Sequence, residues 1–210
     1  MDLVLNHFLG IEHPWFLKVK EKEIFFTSGG TESDNWALVG TAMANKRTGN
    51  HIITSAIEHP AVSAPLAFLE EQGFRITRLP VNKEGLVDVN ELEEAITPET
   101  ILVSIMYVNN EIGAVEPIGE IGRRIKAKNP KRIFMSMRSR RSANTGLSER
   151  MGIDMLSVSG HKIHGPKGSG FLYIDEKVKI PSADLRRRPA ERHAFRNRQC
   201  AGHRRPCEIR

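Results

Sequence analysis

Four short clusters hold most of the residues in this 210-residue chain that could act together in a reaction. Ser28-Gly-Gly-Thr-Glu-Ser33 joins a strand-like run to a helix-like one. Small residues there let backbone N–H groups and the Thr31 hydroxyl approach an anion at the positive end of a helix. Ser157-Val-Ser-Gly-His-Lys162 runs from a strand into hydroxyl and small residues and ends on an amine. A lysine in a desolvated site forms Schiff bases with carbonyl compounds. His59, in Ile57-Glu-His-Pro60, and Asn110, in Asn109-Asn-Glu-Ile-Gly113, each follow a further apolar run. Taken singly, each cluster is as well explained by a tight turn, a cap or solvated surface. Four of them at strand ends point to one pocket, because parallel α/β sheets bind ligands beyond the carboxyl ends of their strands.

The elements that would position them alternate. Strands are expected at 24–27, 51–54, 74–78, 101–108, 132–134, 154–159 and 170–174. Helices are expected from about Thr31 to Lys46, from Pro60 to near Gly73, from Asp88 to before Pro98, and from Ile118 to Lys128. Pro60 suits a first helical turn, and Asp88 with Glu91 resembles a capping box. In the first helix Trp36, Leu38, Val39 and Met43 are expected to face the core. Repeated βα units imply an α/β fold with a mostly parallel sheet and helices on both faces.

Composition narrows the class. With 40% hydrophobic and 27% charged residues the chain reads as a soluble globular protein. No apolar run approaches the roughly 18 residues that span a bilayer. The start lacks the basic region and cleavage site of a secretory signal, so a cytoplasmic location is expected. Cys200 and Cys207 are the only cysteines, which offers neither a disulfide framework nor a Cys-His metal site. The net charge of +6 is concentrated. Residues 135–150 carry +3 and residues 181–210 carry +6, leaving −3 for the rest. All twelve lysines precede the second segment, which contains nine arginines. A tail of this kind could bind anions or RNA, but it gives no reason for the strand-end clusters; nucleic acid is therefore a disfavoured partner.

SGGTES, EHPAV, VNNEIG and SVSGHKIHGPKGSG, in this order and at these intervals, closely resemble the cysteine desulfurases. These enzymes belong to class V of the pyridoxal-phosphate-dependent aminotransferases and have fold type I. The resemblance covers about residues 22–134 and 151–180. It implies that Lys162 forms the Schiff base with pyridoxal 5'-phosphate and moves the substrate proton. It implies that His59 stacks on the ring and assists proton transfer. Gly30, Thr31, Ser159 and His161 would hold the phosphate, and Asn110 would contact the ring hydroxyl and substrate region. The implied substrate is L-cysteine, converted to alanine while a cysteine thiolate takes its sulfur as a persulfide. A homodimer and a sulfur-acceptor scaffold protein for iron–sulfur cluster assembly are the implied partners. Another class V activity, such as a selenocysteine lyase or aminotransferase, is the enzymatic alternative, and an inactive fragment with an Arg-rich binding tail is the other.

The expected division is a poorly matched segment at 1–20, a cofactor-binding α/β domain at 21–180, and an Arg-rich unmatched tail at 181–210. Within the domain, 135–150 reads as an aberrant, insertion-like segment. There the family carries His-Val-Asp-Ala-x-Gln, whose Asp keeps the pyridine nitrogen protonated. Met137 and Arg140 fall at the Asp and Gln places and can do neither task. The nucleophilic cysteine cannot be carried onto Cys200 or Cys207, which lie in unmatched sequence. Allowed codons for Met135–Leu147, read in a shifted frame with the preceding C, give HVDAVQAFGKYRI. Codons from Leu185, read one base later, give FGGGQQSGMRSGTDNVP, again a family segment. The two Arg-rich stretches are thus expected to be frameshifted, and the literal chain is expected to be impaired, with weak or absent cofactor binding.

Overall fold

The computed structural model describes residues 19–138, 151–163 and 166–181. The described elements, in order, are β1 (Ile24–Thr27), α1 (Gly30–Asn45), β2 (His51–Ser55), α2 (Pro60–Glu71), β3 (Arg75–Leu79), α3 (Val89–Ala95) and β4 (Thr100–Ser104). They continue with α4 (Ile118–Lys128), β5 (Ile133–Arg138), β6 (Met155–Ser159), a 3-10 turn (Gly160–Ile163) and β7 (Gly170–Ile174).

The strands form one sheet in the order β1-β7-β6-β5-β4-β2-β3. Every neighbouring pair is parallel except those of β7, which runs antiparallel to both β1 and β6. The expected mostly parallel α/β sheet is therefore present. Because β7 is the single reversed strand, β1, β2, β4, β5 and β6 all end at the same edge. Thr27, Gly170 and Ser159 stand in one row across β1, β7 and β6 at that edge.

Two apolar layers cover the sheet. On one side α3 and α4 supply Leu92, Ile118, Ile121 and Ile125, packed with Ile53, Val103 and Phe134. On the other, α1 and α2 supply Ala37, Leu38, Ala42, Val62, Leu66 and Leu69, packed with Ile52, Leu102 and Leu172. Strands β2, β4, β6 and β7 are buried along their whole length, as continuous apolar runs covered on both faces should be. One buried polar side chain in them is doubly paired: the His51 ring meets the hydroxyls of Thr100 at 2.7 Å and Thr77 at 2.8 Å. Burial, with Arg75 and Arg132 nearby, lowers the His51 pKa to about 4.

Three expectations change. Met43 is 40% exposed, because the buried stripe of α1 runs through Ser33, Asp34, Ala37, Leu38, Thr41 and Ala42 and turns Met43 outward. β4 stops at Ser104 rather than 108; the chain beyond keeps only alternate bonds to β5, from the Ile105 and Tyr107 N–H groups to the carbonyls of Met135 and Met137. Residues 135–138 are not insertion-like: they complete β5 between β4 and β6, and Met135, Ser136 and Met137 are buried. A sheet position accepts any side chain that its two faces can bury, and methionine and serine qualify here. Residues 1–18, 139–150 and 182–210, with the expected N-terminal segment, most of the aberrant segment, both cysteines and nearly all of the tail, lie outside the described residues.

Candidate active site

The shared edge of β1, β2, β5 and β6 carries a cavity of about 260 Å³. Lys162, Gly30, Thr31, His59, Ser159 and His161 all line it, together with Asp34, Met137, Ser157 and Glu32. Six of the seven residues singled out in the sequence are thus brought to one place. Asn110 is the exception: it is exposed and is not among the described lining residues. Its neighbour Asn109 is the buried one. The Asn109 amide donates to the Ile57 carbonyl at 3.0 Å, and its oxygen accepts from Glu111 N–H at 2.8 Å and Ile112 N–H at 3.1 Å. Asn109 therefore ties the loop after β4 to the loop after β2.

Each lining group has a local cause. β6 runs straight into the 3-10 turn, so Ser159, His161 and Lys162 follow one another off the strand end. Ser159 Oγ and His161 Nδ1 are 2.9 Å apart. On the facing side, β1 turns through Ser28-Gly29 into α1. The turn is held by Glu32, whose carboxylate accepts from Ser28 N–H at 2.6 Å and from the Ser28 hydroxyl at 2.7 Å. Two glycines allow the close approach of this turn to β6 and β7. A Cβ on Gly170 would lie 2.8 Å from Gly29 Cα, and one on Gly30 would lie 3.3 Å from Ser159 Cβ.

His59 is the N-cap of α2, its Nδ1 accepting from Ala61 N–H at 3.0 Å. A neutral imidazole that accepts at Nδ1 carries its proton on Nε2. Burial lowers the His59 pKa, and Lys162 lowers it further, against a smaller opposing effect of Glu111. Beside it, the half-buried Glu58 accepts from Met106 N–H at 2.8 Å and from the Ser55 hydroxyl at 2.9 Å. Burial nonetheless pushes its pKa up to about 8.

Lys162 is half-buried, and that burial lowers its pKa, while Asp34 opposes the fall. A larger fraction of neutral amine at physiological pH is what a carbonyl-attacking lysine requires. Asp34 itself is fully buried, and neither of its oxygens has a hydrogen-bond partner. Ser157 and Lys162 favour its charged form, but burial outweighs both and holds its pKa at about 7. Asp34 and Glu58 are the functional candidates not singled out from sequence. For Asp34 a signal existed: it is the one carboxylate in a helical stripe that otherwise buries small, apolar and hydroxyl residues.

The aminotransferase class-V family pattern matches residues 14–186, most of the chain. The chain belongs to the aminotransferase class-V family. It is 52% identical over 164 residues to the cysteine desulfurase IscS of Clostridium botulinum (strain Kyoto / Type A2), covering 78% of this chain and 41% of that one. It is equally 52% identical over 165 residues to the cysteine desulfurase IscS of Methanosarcina thermophila, covering 78% and 40%. Among solved structures it is similar to a NifS-like protein, with a TM-score of 0.75 and 38% identity over 79% of this chain and 46% of that one. It is also similar to SspA in complex with cysteine, with a TM-score of 0.70, 41% identity, and coverage of 76% and 46%. This class-V chain spans about two fifths of the length of the curated relatives it matches.

Class-V enzymes of the cysteine desulfurase kind depend on pyridoxal phosphate, and the cavity of this class-V chain suits that group in part. An amine of lowered pKa, a glycine turn at a helix start and a neutral imidazole converge on one space. The acid-bearing position does not follow the resemblance. Met137 lines the cavity where an aspartate was implied, and the buried carboxyl present is Asp34.

Proposed function

We propose that this cavity is a pyridoxal 5'-phosphate site and that the protein's reaction is removal of sulfur from L-cysteine, giving alanine and an enzyme persulfide. The observation that carries the reading is the convergence of Lys162 with the Gly30–Thr31 turn on one cavity, across β1, β7 and β6. Gly30, Thr31, Ser159 and His161 would hold the phosphate through N–H and O–H donors at the start of α1 and the end of β6. Lys162 would hold the aldehyde carbon and, once displaced by the substrate amine, move the proton at the substrate Cα. His59, neutral and protonated on Nε2, would stack on the ring without adding charge to it. Bound there, the cofactor supplies an electron sink for the substrate Cα.

Met137 bears on strength rather than on type of chemistry. A thioether neither accepts a proton nor balances a ring cation, so this literal chain is an impaired version of the site. The frameshift account supplies a cause, and the register of β5 and β6 shows what it bears on: position 137 lines the cavity, where a carboxylate would be useful. The persulfide-forming cysteine, the homodimer, the scaffold-type sulfur acceptor and the cytoplasmic setting belong to the same proposal as what the resemblance implies, while the names of the cysteine desulfurase relatives support the reaction. Among the described residues no helix is long and apolar enough to cross a membrane, and no cluster of His, Cys, Asp and Glu suits a metal ion.

Incubating a frame-restored, full-length version with cofactor and either L-cysteine or L-selenocysteine tests the reaction. Alanine is expected and, with a thiol reductant present to reduce the enzyme persulfide, cysteine-derived sulfide as well. Exclusive turnover of selenocysteine, or amino transfer to a keto acid without sulfide, would replace the reading with another class-V activity.

A further inference from the structure

β2 ends at Ser55, while the chain beyond β4 runs on beside β5. The last pair between β2 and β4 is Thr54 with Ser104. Just past it, the Met106 N–H is accepted not by a β2 carbonyl, as a parallel ladder would continue, but by the Glu58 carboxylate at 2.8 Å. The same oxygen, Oε1, accepts from the Ser55 hydroxyl at 2.9 Å, so Glu58 is held from both sides of the gap. Its other oxygen is buried and has no partner, and Glu58 is not among the described lining residues of the cavity. The bond lies midway between two residues that do line it, His59 and Met137. His59 follows Glu58 directly and caps α2. Tyr107 follows Met106 directly, and its N–H donates to the Met137 carbonyl at 3.1 Å. Asn109 braces the same junction, its amide reaching the Ile57 carbonyl at 3.0 Å and the Met106 sulfur at 3.3 Å.

We propose that Glu58 is a positioning residue: its carboxyl replaces the missing β2 carbonyl as the acceptor for Met106 and so sets His59 against the β4–β5 edge that carries position 137. The imidazole and whatever side chain stands at 137 then keep a fixed spacing on the cavity wall. The start of the same loop is anchored separately, by the Ala56 N–H on the Leu79 carbonyl of β3 at 2.9 Å. Glu58 and Asn109 supply the tie on the β4 side. Without Glu58 the Met106 N–H would lose its acceptor, which a buried backbone donor does not tolerate cheaply. The role calls for an oxygen acceptor and not for a charge, since both donors are neutral. Glutamine can therefore fill it and alanine cannot.

The inference rests on the proposed function for the use made of His59, but the tie itself is read without cofactor. NMR of the 15N-labelled full chain gives amide exchange at Met106 and the His59 ring-nitrogen signals, assigned with His59→Asn. Glu58→Ala should speed Met106 exchange by about 10-fold, the worth of one hydrogen bond to a buried donor, and should shift the His59 ring signals. It should also weaken pyridoxal phosphate uptake by about 10-fold. Glu58→Gln should restore all three. Leu92→Ala, which loosens the core on the sheet face opposite α2, should leave the His59 signals in place. Ring signals unmoved by Glu58→Ala, moved equally by Leu92→Ala, or not restored by glutamine would overturn the positioning role. Should Glu58→Ala not fold, Glu58→Asp, one methylene shorter, takes its place under the same criteria. A Met106 amide that exchanges in the parent as freely as an unbonded one would overturn the role with no variant at all. A chain that meets every NMR expectation yet takes up no pyridoxal phosphate would keep the tie and sink the proposed function instead.

Discussion

Met137 and Ser157 are direct neighbours across β5 and β6, and both line the cavity that holds Lys162. Strand register alone thus delivers whatever side chain stands at 137 to the site. The buried setting on both strands leaves that register little freedom to slip. Met137→Asp should therefore strengthen pyridoxal phosphate binding by about 10- to 100-fold, the worth of one charge-assisted hydrogen bond of roughly 1.5–3 kcal/mol. Titration of the full chain by absorbance or by quenching of tryptophan fluorescence reads the change. Equal affinities for the two proteins would mean that position 137 does not meet the ring.

His59 has two separable duties. Its Nδ1 caps α2, and its ring faces the cavity. His59→Ala should lose about 1 kcal/mol of stability through the cap and also weaken cofactor binding. His59→Asn, which can still cap, should recover the stability but not the binding. Thermal melts of the unloaded chain and cofactor titrations separate the two effects; recovery of both by asparagine would remove the stacking role.

Glu58 makes stability depend on pH in a defined direction. Burial raises its pKa from an ordinary 4.5 to about 8, so the folded chain binds this proton more tightly than the unfolded one. Its protonated form is favoured by folding; the contribution is intact below about pH 4.5 and is lost as pH climbs through 8. Glu58→Gln keeps an acceptor for Met106 N–H and cannot ionise. It should gain about 1–3 kcal/mol over the parent at pH 9 and much less at pH 6. Urea unfolding at the two pH values checks this, and a gain that is the same at both would contradict it.

The His51 ring gives the opposite slope. Its pKa falls from 6.5 to about 4, so the unfolded chain binds the proton first. Its contribution is full above about pH 6.5 and is lost as pH drops toward 4, up to about 3 kcal/mol. His51→Gln should flatten the acid limb of a stability profile between those values. An acid limb that keeps its steepness would assign the loss to other groups.

Much of this fold was legible because the signals are local. Apolar runs such as Ile52-Ile53 and Leu102-Val103, Pro60 at a helix start and the glycine turns fix the order of strands and helices. Four strand-end clusters then lead to one edge once the strands are parallel. What was not legible is what depends on partners far along the chain. Met135–Arg138 lack any period of their own, yet β4 and β6 on either side make them a strand. Asn109 rather than Asn110 is turned inward by its bond to the Ile57 carbonyl, 52 residues earlier. Asp34 can be placed on the inward stripe of its helix from the sequence, but that this stripe brings it to the cavity emerges only when α1 is laid on β6 and β7.

The frame account is checked directly on the gene. Sequencing across codons 130–150 and beyond 180 should show a run that, shifted by one base, encodes HVDAVQ and later SGTDN. Codons that do not yield these segments in any frame would remove that account while leaving the site untouched.

The claim on which the reading rests is that Lys162 and the Gly30–Thr31 turn serve one phosphate-bearing aldehyde. Borohydride reduction of the full chain in excess pyridoxal phosphate, followed by peptide mass analysis, tests it most directly. A single saturable pyridoxyl label on Lys162, reduced by competing inorganic phosphate and by Thr31→Val, is the result expected. Labelling spread over the surface lysines, unchanged by phosphate and undiminished at other positions in Lys162→Ala, would contradict it.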